Sequence, residues 1–212
     1  DVIKAGNWVV KRLQQAGISN ARLMETETHP IVYGDWLKAG GDKLTVLIYG
    51  HFDVQPAEPL DLWESPPFEP VVVNEKLIGR GASDDKGGML IPILAAEALL
   101  AIDKELPVNL KFFFEGQEEV GSPTLQAFIK KNSDLLKADM IFSADGGQWS
   151  EDQPSMITSL RGMVGLEIKV SGSKDELHFG MHSGGIANSI HALALIISSM
   201  KDLNGHVTVA GF

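Results

Sequence analysis

The sequence predicts an α/β fold, a layered sheet flanked by helices over residues 1–157, followed over residues 158–212 by the start of a smaller α+β unit. Three observations predict it. Apolar runs of strand length alternate with longer stretches of helical periodicity. Polar clusters rich in acids and glycine follow those strands, where α/β sheets gather their sites. After Pro154 the pattern changes character.

Residues 2–16 place Val2, Ile3, Val9, Val10 and Leu13 at near-helical spacing, and Gly17 supplies a C-terminal stop. Residues 44–49 form a nearly continuous apolar run that suits a buried strand, which Gly50 is expected to end just before His51 and Asp53. A proline-rich segment with Trp63 occupies 56–70 as an irregular connection. Met89, Leu90, Ile93, Leu94, Ala96, Leu99 and Leu100 predict a helix over 87–102, with Asp84 and Asp85 at its entrance. Residues 108–114 return to strand character and run into Glu115, Gly121 and Ser122 open a short helix, and 139–144 make a strand into Asp145. In the second unit, 163–170 is expected as a strand, 172–185 as a glycine-rich loop, 186–200 as a helix and 207–210 as one more strand. Such a small sheet would leave one face open.

A chain of 212 residues that is 44% hydrophobic can bury one core and part of another. No apolar stretch reaches the roughly 18–20 residues that span a bilayer, and the first residues lack a signal-peptide pattern, so the expectation is a cytoplasmic protein without a membrane partner. Asp1 in place of a methionine is consistent with trimming. The net charge of −10, without a basic stripe, argues against nucleic acid. With no cysteine, any metal site falls to His, Asp and Glu. Part of the acidity is concentrated in the clusters, where a bound cation would relieve repulsion.

The clusters are Gly50-His51-Phe52-Asp53, Ser83-Asp84-Asp85-Lys86, Glu115-Gly116-Gln117-Glu118-Glu119 and Ala144-Asp145-Gly146-Gly147. One imidazole with several carboxylates suits a divalent ion of hard or borderline character, and a spare carboxylate suits a general base for hydrolysis. Taken singly, acids before a helix are also what its dipole favours. Glu115 is expected to be structural, satisfying backbone amides in its turn.

The segments YGHFDVQP (49–56), GRGASDDKGG (79–88) and FEGQEEVGS (114–122) resemble the signatures of the M20 metallopeptidases, in particular their carnosinase-like dipeptidase branch. The resemblance runs almost end to end. It implies a zinc-peptidase-like catalytic domain over 1–157 and the beginning of a lid and dimerisation domain over 158–212. It implies two divalent ions, zinc first with manganese or cobalt as alternatives, held by His51, Asp84 as the bridge, Glu119 and Asp145. Asp53 would hold the other imidazole nitrogen and Glu118 would be the general base. The Asp84–Asp85 peptide would be cis. Residues 175–180 resemble a D-L-H-S-G loop, which makes His178 the donor reaching across a homodimer to the developing oxyanion, with an inserted acid and Phe179 as departures. Arg161 matches the family at the domain junction. The substrate would be a dipeptide or small N-acyl amino acid.

Members of that family are roughly twice this length, and their last metal-ligand histidine has no counterpart here. His182, His191 and His206 match no ligand motif. The competing reading is therefore an inactive fragment, or a binding and assembly module that lacks this histidine. Phosphate binding through the glycines finds no Walker or dinucleotide pattern.

Overall fold

Helix α1 (Val2–Gln15) buries Val9 and Leu13 and ends where the spacing places it. Gly17, at φ +95°, lets the N–H of Gly17 reach Gln14 O and that of Ile18 reach Leu13 O, the paired bonds of a Schellman stop. The computed structural model describes residues 1–173, 178–182 and 184–212. They divide into two compact units, Asp1–Ile157 and Thr158–Phe212.

In the first unit, strands β1 (Arg22–Met24), β2 (Ile31–Trp36) and β3 (Thr45–His51) precede a hairpin of β4 (Val71–Val73) and β5 (Lys76–Ile78), whose turn residues Asn74 and Glu75 both have positive φ. Helix α2 (Lys86–Ile102), strand β6 (Asn109–Glu115), short helices α3 (Leu125–Lys131) and α4 (Ser133–Leu136) and strand β7 (Met140–Ser143) complete it. The main sheet has the order β1-β2-β6-β3-β7. β3 runs parallel to β6 and β7, while β2 is antiparallel to β6, so the sheet is mixed.

The two-residue period of β6 explains the layering. Phe112 and Phe114 join Ile48, Val32 and Phe52 under α1 and α2, where Val9, Leu13, Met89 and Ile93 close the larger core. Phe113 points the other way, onto Leu47, Ile31 and Phe128 of α3. Lys111, on that second face, is buried, and its ammonium donates to Leu135 O at 2.6 Å and Lys137 O at 2.7 Å. It thereby satisfies carbonyls at the end of α4. The fold class is the expected one, a mixed α/β sheet with helices on both faces.

Three details differ from the expectations. β3 does not end at Gly50 but continues through His51. β1 and β2 lie in a stretch whose residue pattern predicts no strand. In the second unit, residues 163–170 and 207–210 form no strand; Val207 makes one isolated bridge, to Lys201. A strand needs a partner for its N–H and C=O groups, and Met163, Val164 and Leu166 stay exposed, Met163 at 98%, with Ile168 and Val170 only half-buried. The described part of this unit holds α5 (Phe179–His182) and α6 (Ser189–Ser199), with the Asn188 side chain capping α6 by accepting the Ile190 N–H at 2.8 Å.

Candidate metal centre

Parallel β6, β3 and β7 stop side by side. His51 is in register with Glu115, Tyr49 with Ser143, and Asp145 follows two residues later. The N–H of Phe52 donates to Glu115 O and that of Ala144 to Tyr49 O, so the loops leave the sheet already tied together. Clusters distant in sequence therefore meet at one carboxyl edge.

His51 stands at the centre, fully buried. Its Nε2 lies 2.9 Å from Asp84 Oδ1, 3.8 Å from Asp145 Oδ2 and 4.0 Å from Glu118 Oε2. One donor atom each from His51, Asp84 and Asp145 fall within 4.8 Å of one another. Ligands about 2.0–2.2 Å from a tetrahedral divalent ion stand roughly 3.3–3.6 Å apart, so this set fits such an ion after small adjustments. The Asp84 and Asp145 side chains are 66% and 37% exposed, so the group opens to solvent on the side away from the histidine. The Asp84–Asp85 peptide is cis.

Behind the imidazole, Asp53 Oδ1 sits 3.4 Å from Nδ1, and that nitrogen has no aligned hydrogen bond among the described residues. The pair is a charge contact rather than a closed bond. The same carboxylate accepts the N–H of Glu118 at 3.2 Å on one oxygen and of Glu119 at 3.1 Å on the other. Burial opposes charge on His51, but the Asp53 carboxylate, with Asp145 and Asp85 beyond, prevails and raises the imidazole to about 9. Burial also works against ionised Asp53, yet His51 and the two backbone donors hold its carboxyl below the usual range.

Asp85 is buried, and its side chain turns away from the helix it precedes: it makes no cap bond, and Oδ2 accepts the N–H of His51 at 3.1 Å. Glycine is required around it. A Cβ at Gly50 would stand 2.6 Å from Asp85 Oδ2, and one at Gly88 would meet Asp85 Oδ1 at 2.3 Å and Ala144 O at 2.4 Å. Burial, reinforced by Asp145 and Asp84 against the opposing bond from His51, raises this carboxyl to about 6.

The second face of the turn differs from the reading of Glu115. Its buried carboxylate accepts from side-chain hydroxyls, Tyr49 at 2.6 Å and Ser122 at 2.9 Å, instead of from backbone amides, and Oε2 has no partner among the described residues. Glu118 is raised by burial, with Asp145, Glu119 and Glu115 adding to it and His51 opposing. Glu119 lies outside the three-residue group. Gln55 holds it, with its N–H on Oε1 at 3.2 Å and its side-chain amide on Oε2 at 2.8 Å. Gln55 went unnoticed in the sequence although it lies within the segment that carries His51 and Asp53.

His178 belongs to the second unit, where it is exposed and its Nδ1 accepts the N–H of Gly180 at 3.2 Å. Its preceding neighbours in the D-L-H-S-G-like segment, Asp175, Glu176 and Leu177, lie outside the described residues. Arg161, His182, His191 and His206 are exposed, and His206 pairs with Asp202 at 3.1 Å.

Residues 47–210 match the model of peptidase family M20/M25/M40. The Cys-Gly metallodipeptidase of Schizosaccharomyces pombe is 38% identical over 187 residues, covering 86% of this chain and 39% of that protein. The Beta-Ala-His dipeptidase of Homo sapiens is 33% identical over 204 residues, covering 94% of this chain and 40% of that protein. Among solved structures, an M20 family metallo-carboxypeptidase from Sulfolobus solfataricus superposes with a TM-score of 0.80 at 31% identity, covering 100% of this chain and 47% of that one. The chain thus spans less than half the length of the relatives it matches.

Proposed function

This chain belongs to peptidase family M20/M25/M40, and on that footing we propose that it carries the metal-binding part of an active site that hydrolyses the amide bond of dipeptides or small N-acyl amino acids. The observation that supports this best is the convergence of His51, Asp84 and Asp145, with the Glu118 carboxylate 4.0 Å from His51 Nε2. The dipeptidases among its relatives support the substrate class.

A divalent ion held by His51, Asp84 and Asp145 would supply Lewis acidity to the scissile carbonyl and to water. Zinc is the first choice, with manganese or cobalt next because the donors are mostly oxygen. Glu118 takes the proton of the attacking water and returns it to the leaving amine. Its carboxyl is displaced upward, toward the working pH, which is what that role requires. Asp53 faces the rear nitrogen of His51 at 3.4 Å, and closing that contact into a hydrogen bond would hold the tautomer that leaves Nε2 free to ligate. Asp84 and Glu119 would hold a second ion, once Gln55 releases Glu119. His178 would donate to the oxyanion from the partner in a homodimer formed through residues 158–212.

A second reading, an assembly module without a complete site, draws on the engagement of Glu119 by Gln55. Elemental mass spectrometry after dialysis against dilute zinc separates the two, with Asp84→Ala as control. Two ions per chain support the dinuclear site, one supports the His51, Asp84 and Asp145 half alone, and none favours the module.

A further inference from the structure

Gln117 is a polar side chain with 1% exposure, at the exit of β6 and one residue before Glu118. Both ends of its amide are bonded. Oε1 accepts from the Thr28 hydroxyl, in the link between β1 and β2, and Nε2 donates to the hydroxyl of Thr124, the residue that precedes α3. Its backbone carbonyl accepts the N–H of Ser122 at 2.9 Å and of Val120 at 3.4 Å, which closes the single 3₁₀ turn Glu118–Val120. We infer that Gln117 is a positioning residue: it fixes the Glu118–Glu119 turn from behind while Asp53 fixes it from the front, and so sets where the Glu118 carboxylate stands over His51 and Asp84. This rests on the reading of Glu118 as the base.

The sequence around the turn explains why such an anchor is needed. Gly116 and Gly121 flank it: a Cβ at Gly116 would stand 2.8 Å from Phe52 and from Val2, whereas Gly121, at φ +83°, has nothing among the described residues within 4 Å of where its Cβ would be. The glycine after the turn leaves the backbone free to swing on that side, and the apolar packing that reaches Gly116 stops short of the turn itself, since Glu118 and Glu119 are half-buried and Val120 is 69% exposed. The holds are polar. An amide suits the position because it carries an acceptor and a donor on two separate atoms without charge, and so reaches one threonine with each. A glutamate there would add a further carboxylate beside Glu115, Glu118 and Glu119, and an apolar side chain of equal length would drop both threonines. A displacement of about 1 Å at a reacting group can cost about 10²-fold in rate, so a residue that never touches substrate can govern turnover.

The test compares wild type, Gln117→Met and the pair Thr28→Val with Thr124→Val. Hydrogen exchange, read by mass spectrometry without metal, should rise about tenfold or more at residues 116–122 in Gln117→Met and stay unchanged in α1 and α2. With zinc and a dipeptide, kcat should fall about 10- to 100-fold with KM within about twofold. Adding the two threonine changes to Gln117→Met should add little, because they remove the same bonds. Should Gln117→Met fail to fold, Thr28→Val alone removes one bond at an exposed residue and should give a smaller rise confined to the same segment. Unchanged exchange, a rise spread over the whole unit, or a KM effect without a kcat effect would overturn the inference. In a wild-type chain that binds zinc without turnover, the exchange result alone decides whether Gln117 holds the turn: a rise confined to residues 116–122 supports the inference, and unchanged exchange overturns it.

Discussion

The two halves of the candidate site are built on opposite terms. His51, Asp53, Asp85, Glu115 and Gln117 are buried and tied to one another or to the strand ends, whereas Asp84, Glu118, Glu119 and Asp145 reach outward on loops. In the buried half, geometry is fixed by hydrogen bonds that exist without an ion. In the open half, carboxylates face one another, and a cation is what would relieve them. The contrast teaches that preorganisation and charge need not reside in the same residues: one half holds position, and the other supplies negative potential.

Substitutions that act on one half only would break the contrast. The largest effect is expected for Glu118→Gln, which should lower turnover about 10²- to 10⁴-fold while zinc content, measured per chain, stays at the wild-type value. Loss of the metal together with activity would show that Glu118 belongs with the ligands.

Next comes Asp85→Asn in metal-free protein. The folded carboxyl sits at about 6 against an ordinary value of 3.8, so its ionisation costs stability above pH 6 and costs nothing below about pH 4, where the folded and unfolded groups are both protonated. Asparagine keeps an acceptor for the His51 N–H and removes the charge. Thermal melts with chelator present should therefore favour the variant by on the order of 1–3 kcal/mol at pH 7.5, with the advantage fading between pH 6 and 4. An advantage of constant size across that range would point to packing instead.

Tyr49→Phe sharpens the other side of the comparison. It takes one of two hydroxyl donors from the buried carboxylate of Glu115 and should cost about 1.5–3 kcal/mol in denaturant unfolding, with little change in zinc affinity. The smallest expected change is for Asp53→Asn, which should weaken zinc binding about 10- to 100-fold, or about 1.4–2.7 kcal/mol, in a calorimetric titration. Unaltered affinity would mean that the 3.4 Å contact with Nδ1 does not support the ligand.

Much of the frame could be read from residue order alone. The apolar run of 45–49 and the aromatic run of 112–114 each have one dominant explanation, because few alternatives bury so many large side chains. β2 escaped notice for a local reason. Gly34 and Asp35 interrupt its apolar pattern, and their justification is tertiary: a Cβ at Gly34 would lie 3.0 Å from Ile18, and Asp35 is bonded to Asn20 and to the Tyr33 hydroxyl. Gly50 misled for a similar reason, since the space it leaves is taken by Asp85, thirty-five residues later in the chain. The acids and the histidine of the site were visible as clusters. Their supports were not, because Gln55 on Glu119 and Gln117 between two threonines are pairings across the fold that no spacing encodes. In residues 163–170 the alternating pattern was real but no partner strand answered it among the described residues.

The carboxylate of Asp53 faces His51 and also receives the amides of Glu118 and Glu119. A single group thus stands at the crossing of two tasks that selection would otherwise adjust separately. Variation at position 51 and variation at position 118 are expected to be epistatic through it, so that a library randomised at either site would explore a different landscape depending on the residue fixed at the other.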